Sequence, residues 1–169
     1  MAATADHTPK ILQLPSSPLW YYLGGVSVVA LILGLGVSFG FVLRDHLQAE
    51  PVTEVFRASR TALIQYRSEK NVWPAEFSFN NPPAELRAYG FAQAVNPLLE
   101  KVGSLGTWRF STKNLDGKKE PSIVFQPTEM TDTVRRILGV VDSRVDDGEP
   151  NTGKFRFNDQ GGSLTLSAE

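Results

Sequence analysis

The chain has 169 residues and a formal net charge of −1, from 17 basic and 18 acidic side chains. This balance argues against a nucleic-acid-binding or polybasic lipid-binding domain. Cysteine is absent and there are only two histidines, which excludes disulfides, thiolate metal sites and most zinc centres or catalytic triads. We therefore expect a protein that is not an enzyme.

The N-terminal part contains a long uncharged segment, Leu19–Leu43. As a helix it would be about 37 Å long, enough to cross a hydrocarbon core ~30 Å thick. A cleaved signal peptide is the alternative, but its apolar region is usually only ~7–15 residues long. We predict a short tail over 1–18, one transmembrane helix over 19–43 in the lipid bilayer, and a folded domain over 44–169.

Small residues recur at spacings of four within this segment. One ridge is formed by Ala30, Gly34 and Ser38, and a G-x-x-x-G pair by Gly36 and Gly40. Small side chains let a second helix approach closely, so these five residues are the predicted contact with other membrane helices. The alternative is that glycine is simply common in membrane helices.

An amphipathic helix is predicted after Pro51, which is expected to break or kink the chain near the membrane exit. Apolar positions recur every three or four residues, and Trp73-Pro74 ends the pattern. The predicted buried face consists of Val52, Val55, Phe56, Ser59, Ala62, Leu63 and Tyr66. Residues 74–83 are interpreted as a loop, a short helix is expected between Pro83 and Gly90, and 91–106 stay unassigned.

Beyond residue 106 the apolar period changes to two. Four half-buried strands are predicted over 107–112, 121–126, 154–158 and 163–167. They would form two hairpins, with turns at Asp116-Gly117 and at Asp159-Gln160-Gly161-Gly162. Arg109, Lys154 and Arg156 are expected on the solvent face of the sheet.

Between the hairpins, Thr131 or Asp132 is expected to cap a helix. Its predicted inner face consists of Val134, Ile137, Leu138 and Val141. The fold class is therefore α+β: one N-terminal transmembrane helix, followed by an amphipathic helix packed on a four-stranded antiparallel sheet.

This architecture and two segments resemble the type IV pilin-like proteins and pseudopilins of type II secretion. The run 61–74, TALIQYRSEKNVWP, is similar to the "ALxxYxxExGxWP" pattern that ends the long helix in many of them. The run 141–156, VDSRVDDGEPNTGKFR, is similar to an "IDxxIDDGxxxTGxFR" segment of one branch. The family's prepilin peptidase site, Gly-Phe with a glutamate inside the apolar segment, is missing, which implies a permanently anchored relative.

The resemblance implies a membrane-anchored structural or assembly component of a type II secretion or type IV pilus-like apparatus. Its partners would be other transmembrane or pilin-like subunits, including further copies in an oligomer. It implies a bacterial inner-membrane protein with a cytoplasmic N-terminus and a periplasmic domain, although the flanking basic residues slightly favour the opposite orientation. Two alternatives are an anchored binding or accessory subunit of another membrane complex, and an anchored hydrolase that uses paired carboxylates.

Oxygen-bearing side chains cluster around Gly148. Hard cations such as Ca²⁺ bind clustered carboxylates and carbonyls, and some pseudopilins carry calcium in a C-terminal loop. The spacing does not follow the EF-hand pattern, and a solvated helix end and turn is the alternative. The predicted calcium ligands are Asp146, Asp147, Glu149 and Asn151, with Asp142 also in the acidic run. No other cofactor is expected.

Overall fold

The structure, a computed structural model, describes residues 18–167. Side-chain surroundings are described from residue 22 onwards, except for Gly36, Ser38, Phe39, Phe41, Val42 and Asp45. The elements are α1 (Pro18–Lys70), β1 (Phe77–Ser78), a 3₁₀ helix (Ala84–Tyr89), α2 (Phe91–Val102), β2 (Gly106–Ser111), β3 (Ser122–Pro127), α3 (Asp132–Val145), β4 (Phe155–Asn158) and β5 (Gly161–Thr165). The chain divides into two compact units at the Gly40–Phe41 boundary.

The first unit contains α1 as far as Gly40. Its described apolar side chains are exposed; Val26, for example, retains 68% of its accessible surface. Ser27 donates its hydroxyl to the carbonyl of Leu23 at 2.8 Å, as serine does within a helix. Among the residues that the structure describes, no helix has the combination of length and apolar character needed to cross a membrane.

In the second unit, α1 continues through Pro51, so of the predicted break or kink the break is wrong. Proline removes one helical hydrogen bond and costs roughly 3 kcal/mol. Directly beyond it, Val52, Val55 and Phe56 are all completely buried, and each contributes about 1.5–3 kcal/mol. Burial of this face therefore outweighs the bond that is lost at Pro51.

The buried face of α1 is confirmed at all seven predicted positions, which have between 0 and 5% exposure. The helix ends at Lys70, and Asn71 adopts a left-handed conformation with φ of 57°. Its N–H donates to the carbonyl of Arg67 at 2.9 Å, a usual way to satisfy a helix C-terminus. The predicted end of the helix before Trp73-Pro74 is therefore confirmed.

The antiparallel sheet has five strands, not four, in the order β1-β2-β3-β5-β4. The additional strand, β1, lies in the segment interpreted as a loop and pairs Phe77 with Phe110 of β2. Two residues are too few to show an alternating pattern, so only the pairing with β2 reveals this strand. One apolar row crosses the whole sheet on its buried face: Phe77, Phe110, Ile123, Leu164 and Phe155.

Both predicted hairpins are confirmed, but the second turn is shorter than expected. β5 already begins at Gly161, so only Asp159 and Gln160 connect it to β4. Gly161 has a φ of 140°, and a Cβ there would overlap the carbonyl of Phe125 on β3. Glycine at this position thus lets β5 lie beside β3, which joins the two hairpins into one sheet.

The remaining helices complete the core. Thr131 caps α3, since its hydroxyl accepts the N–H of Val134 at 3.2 Å, and all four predicted inner positions of α3 are buried. Leu86 of the 3₁₀ helix and three residues of α2 are also buried: Phe91, Val95 and Val102. The segment 91–106, which the pattern left unassigned, is therefore largely helical.

Candidate metal centre

The loop that follows α3 covers the free edge of β4. The backbone N–H groups of Lys154 and Phe155 both donate to Asp146 Oδ2, the latter at 2.7 Å. Further along the edge, the N–H of Phe157 donates to the carbonyl of Pro150 at 3.1 Å. The carboxylate of Asp146 therefore acts as a hydrogen-bonding partner for an otherwise open sheet edge.

Three carboxylates converge beneath this loop. Asp142, Asp146 and Asp147 each place one oxygen within 4.8 Å of the others. Asp142 lies in the last turn of α3, and a spacing of four residues brings Asp146 over the same face. Like charges this close repel one another, and a bound proton or cation would relieve that repulsion.

Asp142 is the unusual member because it is completely buried. Neither of its carboxylate oxygens has a hydrogen-bond partner. Burial, and to a smaller extent the charges of Asp147 and Asp146, together raise the pKa of Asp142 from 3.8 to about 6, while the nearby N–H of Gly148 acts in the opposite direction without hydrogen-bonding geometry. The carboxyl is thus oriented into the cluster without a protein donor.

Asp147 has the opposite electrostatic environment. Its Oδ1 accepts the N–H of Glu149 at 2.9 Å, and its Oδ2 accepts the hydroxyl of Thr152 at 2.8 Å. These two bonds lower the pKa of Asp147, with the Glu149 N–H as the larger cause. Asp147 therefore supplies a permanent negative charge beside the buried carboxyl.

The loop folds tightly because glycines stand where its backbone requires them. Gly148 and Gly153 have φ angles of 82° and 69°. A Cβ on Gly153 would lie only 2.9 Å from Asp147 Oδ2 and would also overlap the carboxylate of Asp146. Glycine there lets the backbone approach both carboxylates.

The donor set suits a divalent cation such as Ca²⁺, which binds hard oxygen ligands and would compensate the unpartnered carboxyl. Of the predicted ligands, the structure brings Asp146 and Asp147 together and adds Asp142 to them. Glu149 is exposed and lies outside this cluster, whereas Asn151 lines a small cleft of about 70 Å³ beside Arg156. The sequence carried one signal that Asp142 is buried: it directly follows Val141 and lies on the apolar face of α3.

The predicted helix-packing residues lie along α1 in the first unit. Ala30, Gly34 and Gly40 are exposed there, and a Cβ on either glycine would meet no described atom within 4 Å apart from the helix's own backbone. The side-chain surroundings of Gly36 and Ser38 lie outside the described residues.

The outer face of the sheet carries a row formed by Arg109, Val124, Ser163 and Arg156. Val124 is only 1% exposed although it lies on the opposite face of the sheet from its two neighbours in β3, which belong to the core. Arg156 Nη1 lies 3.5 Å from Asp116 Oδ2 in the loop of the first hairpin. This ion pair connects the two hairpins across the outer face.

Comparison with known protein families, with curated proteins and with solved structures finds no match to this chain.

Proposed function

We propose that this protein is a membrane-anchored assembly component of a type II secretion or type IV pilus-like apparatus, acting through protein–protein contacts. The supporting observation is a contrast along α1 in the exposure of its apolar side chains. Eleven of the thirteen exposed large apolar side chains in the described part of the chain lie between residues 19 and 43. After Pro51 the apolar side of the same helix is buried in the folded unit.

A large exposed apolar surface indicates contact with a membrane or with another protein. The uncharged run Leu19–Leu43 supports insertion into the bacterial inner membrane, and Trp20, Tyr21 and Tyr22 have the amphipathic rings typical of the interface. In the proposed orientation the N-terminus is cytoplasmic and the folded unit is periplasmic. The only histidines, His7 and His46, precede the folded sheet, which supports a non-enzymatic role.

Membrane association and assembly can be tested together on the full-length protein. After cell fractionation and detergent extraction, affinity purification should recover the protein from the membrane with secretion or pilus-like subunits as companions. The double variant Gly36→Leu/Gly40→Leu should lose lateral crosslinks, because leucine prevents close approach of a second helix. Gly24→Leu, on the opposite side of the helix from Gly36 and Gly40, is the matched control. Unchanged crosslinking, or a soluble mature protein that lacks its first fifty residues, contradicts the proposal.

A second candidate is an accessory subunit of another membrane complex. The observation that favours it is the missing prepilin peptidase site, because the run Leu19–Leu43 contains no glutamate. The same purification separates the two functions: companions from an unrelated complex would support the accessory subunit.

The acidic cluster has a local role in this proposal. Asp142, Asp146 and Asp147 would hold a divalent cation, with Ca²⁺ as the preferred ion, and the bound positive charge would stabilise the loop over β4. The supporting observation is the buried carboxyl of Asp142, which has no protein partner.

Thermal unfolding of the detergent-solubilised protein tests the cation site. Adding CaCl₂ after EDTA treatment should raise the Tm of the native protein, as a ligand specific to the folded state does. Asp142→Asn should abolish this increase, whereas Glu149→Gln should keep it. A Tm that does not respond to Ca²⁺ contradicts the site, and a loss confined to Glu149→Gln favours the ligand set predicted from the sequence.

A further inference from the structure

A cleft of about 350 Å³ lies at the C-terminal end of α1, within the second unit. One side is formed by the last turns of the helix, and the other includes Trp73 and Ser167. Its polar lining consists of hydrogen-bond donors and neutral groups: Arg60, Arg67, Ser68, Asn71 and Ser167. Because none of the described residues that line it is a carboxylate, its two arginines give the described lining a positive charge.

Several arginines of the folded unit form ion pairs with carboxylates, although Arg87 and Arg109 form none among the described residues. Arg57 and Arg135 have carboxylate partners at 3.0 and 2.8 Å, and Arg144 pairs with Glu50. Among the residues that the structure describes, Arg60 and Arg67 have no ion pair. The Nε of Arg67 is buried and also lacks a hydrogen-bond acceptor. No described carboxylate therefore compensates the charge of either guanidinium group.

The positions of the two arginines on α1 restrict the kind of ligand that could compensate them. Seven residues of α-helix separate the Cα atoms of Arg60 and Arg67 by about 10 Å along the axis. Side chains on one side of an extended peptide recur at every second residue, about 7 Å apart. Two carboxylates on that side could each form a bidentate bond with one guanidinium, because the long arginine side chains can take up the difference. The partly buried Trp73, whose ring centroid is 6.1 Å from that of Phe110, provides a supported wall.

We propose that this cleft binds an acidic, extended segment of a partner protein. The inference rests on the proposed function in two respects: it assigns protein binding to the folded unit, and it takes Leu43 as the end of the membrane segment. A lipid phosphate is disfavoured because Arg67 lies 24 residues beyond Leu43, or about 36 Å along continuous helix, from the proposed end of the membrane segment.

The test uses the full-length protein in neutral detergent and a fluorescein-labelled hexaglutamate peptide as the probe. Fluorescence anisotropy should show saturable binding that weakens with added salt, because the contact is between opposite charges. Arg60→Gln/Arg67→Gln should weaken binding at least tenfold. Arg87→Gln removes an exposed arginine outside the cleft and should leave the Kd within twofold. Arg60→Gln alone, which spares the buried Nε, should also weaken binding and guards against misfolding of the double variant.

Several results would overturn the inference: equal binding of a hexaglutamine peptide, an unchanged Kd in the double variant, an equal loss in Arg87→Gln, or tighter binding of inorganic phosphate than of hexaglutamate.

Removal of Ala168 and Glu169 should leave the Kd unchanged; much tighter binding would identify the chain's own C-terminal residues as the occupant. If hexaglutamate fails to bind while the protein still fractionates with the membrane and retains its companions, only the cleft inference is lost.

Discussion

The ring of Phe56 on α1 lies edge-on to the indole of Trp108 on β2, with ring centroids 4.8 Å apart. On its other side Phe56 meets Phe155 of β4 at 5.1 Å with nearly perpendicular rings. These two contacts connect the helix to strands from both hairpins. Phe56 is therefore central to the packing of α1 on the sheet.

Phe56→Ala should lower the free energy of unfolding by about 3–5 kcal/mol, because it removes a fully buried ring and leaves a cavity. Denaturant unfolding of the full-length protein, followed by tryptophan fluorescence, measures the change. Val72→Ala alters a side chain that is 57% exposed and should change the free energy by less than about 0.5 kcal/mol. Equal effects of the two substitutions would contradict this account of the core.

Gly162→Ala should destabilise the sheet. A Cβ on Gly162 of β5 would lie 2.9 Å from Phe155 Cζ and 3.2 Å from Leu138 Cδ2, so the core must shift at a cost of roughly 1–3 kcal/mol. Gly139→Ala is the matched control in α3, since its Cβ would meet Phe157 Cζ at 3.9 Å. There alanine should raise stability by up to about 1 kcal/mol through its higher helix propensity. Thermal melts of both variants should therefore shift in opposite directions, and a common direction would be inconsistent with this packing.

Asp142→Asn should stabilise the metal-free protein near neutral pH. Its carboxyl has a pKa of about 6 in the folded state against 3.8 ordinarily, so the folded state holds the proton more tightly. Stability from this group is fully present below pH 3.8 and is lost as the pH rises through 6, a difference of about 3 kcal/mol. The variant cannot lose a proton there and should be roughly 1–3 kcal/mol more stable at neutral pH.

Unfolding free energies measured in EDTA from pH 4 to pH 7 check this expectation. The native protein should lose stability over this window relative to the variant. Glu149→Gln, which removes an exposed carboxylate outside the cluster, provides the comparison for a simple change of charge. Parallel curves for the native protein and Asp142→Asn would show that Asp142 does not titrate in this range.

Thr131→Ala should destabilise the protein by about 1 kcal/mol, because it removes the hydroxyl that accepts the N–H of Val134 at the start of α3. Thr131→Ser keeps this acceptor and should be within a few tenths of a kcal/mol of the native protein. Denaturant midpoints at constant m-value report both changes. An alanine variant as stable as the serine variant would rule out a capping role.

Several features of the fold could be predicted because their signals are local. The three- and four-residue spacing of apolar side chains in α1 and α3 depends only on the helical repeat, and all of their predicted inner positions are buried. Apolar side chains recur at every second residue in β2 and β4, and turn residues separate the strands of each hairpin, although β3 and β5 are buried on both faces. In contrast, β1 is too short for such a pattern, and Pro51 acts as a local breaker whose effect long-range burial overrides.

The candidate site was predicted only in part, because some of its features depend on long-range contacts and not on local signals. Asp146 and Asp147 are adjacent in the sequence, so their association was evident. The role of Asp142 depends on where α3 packs, because its burial and unpartnered oxygens arise from contacts with the core and the returning loop. Glu149 belongs to the same acidic run, yet the turn at Gly148 leaves it outside the cluster.

The amino-acid sequence by itself determined the period of each helix and strand, the chemical types available, and the uncharged run near the N-terminus. Only the tertiary structure decided that β5 lies beside β3, that Asp142 is buried among carboxylates, and that Arg60 and Arg67 line one cleft to which no described carboxylate contributes. The physical reason is that periodicity follows from backbone geometry within a few residues, whereas burial and pairing depend on contacts between residues far apart in the chain.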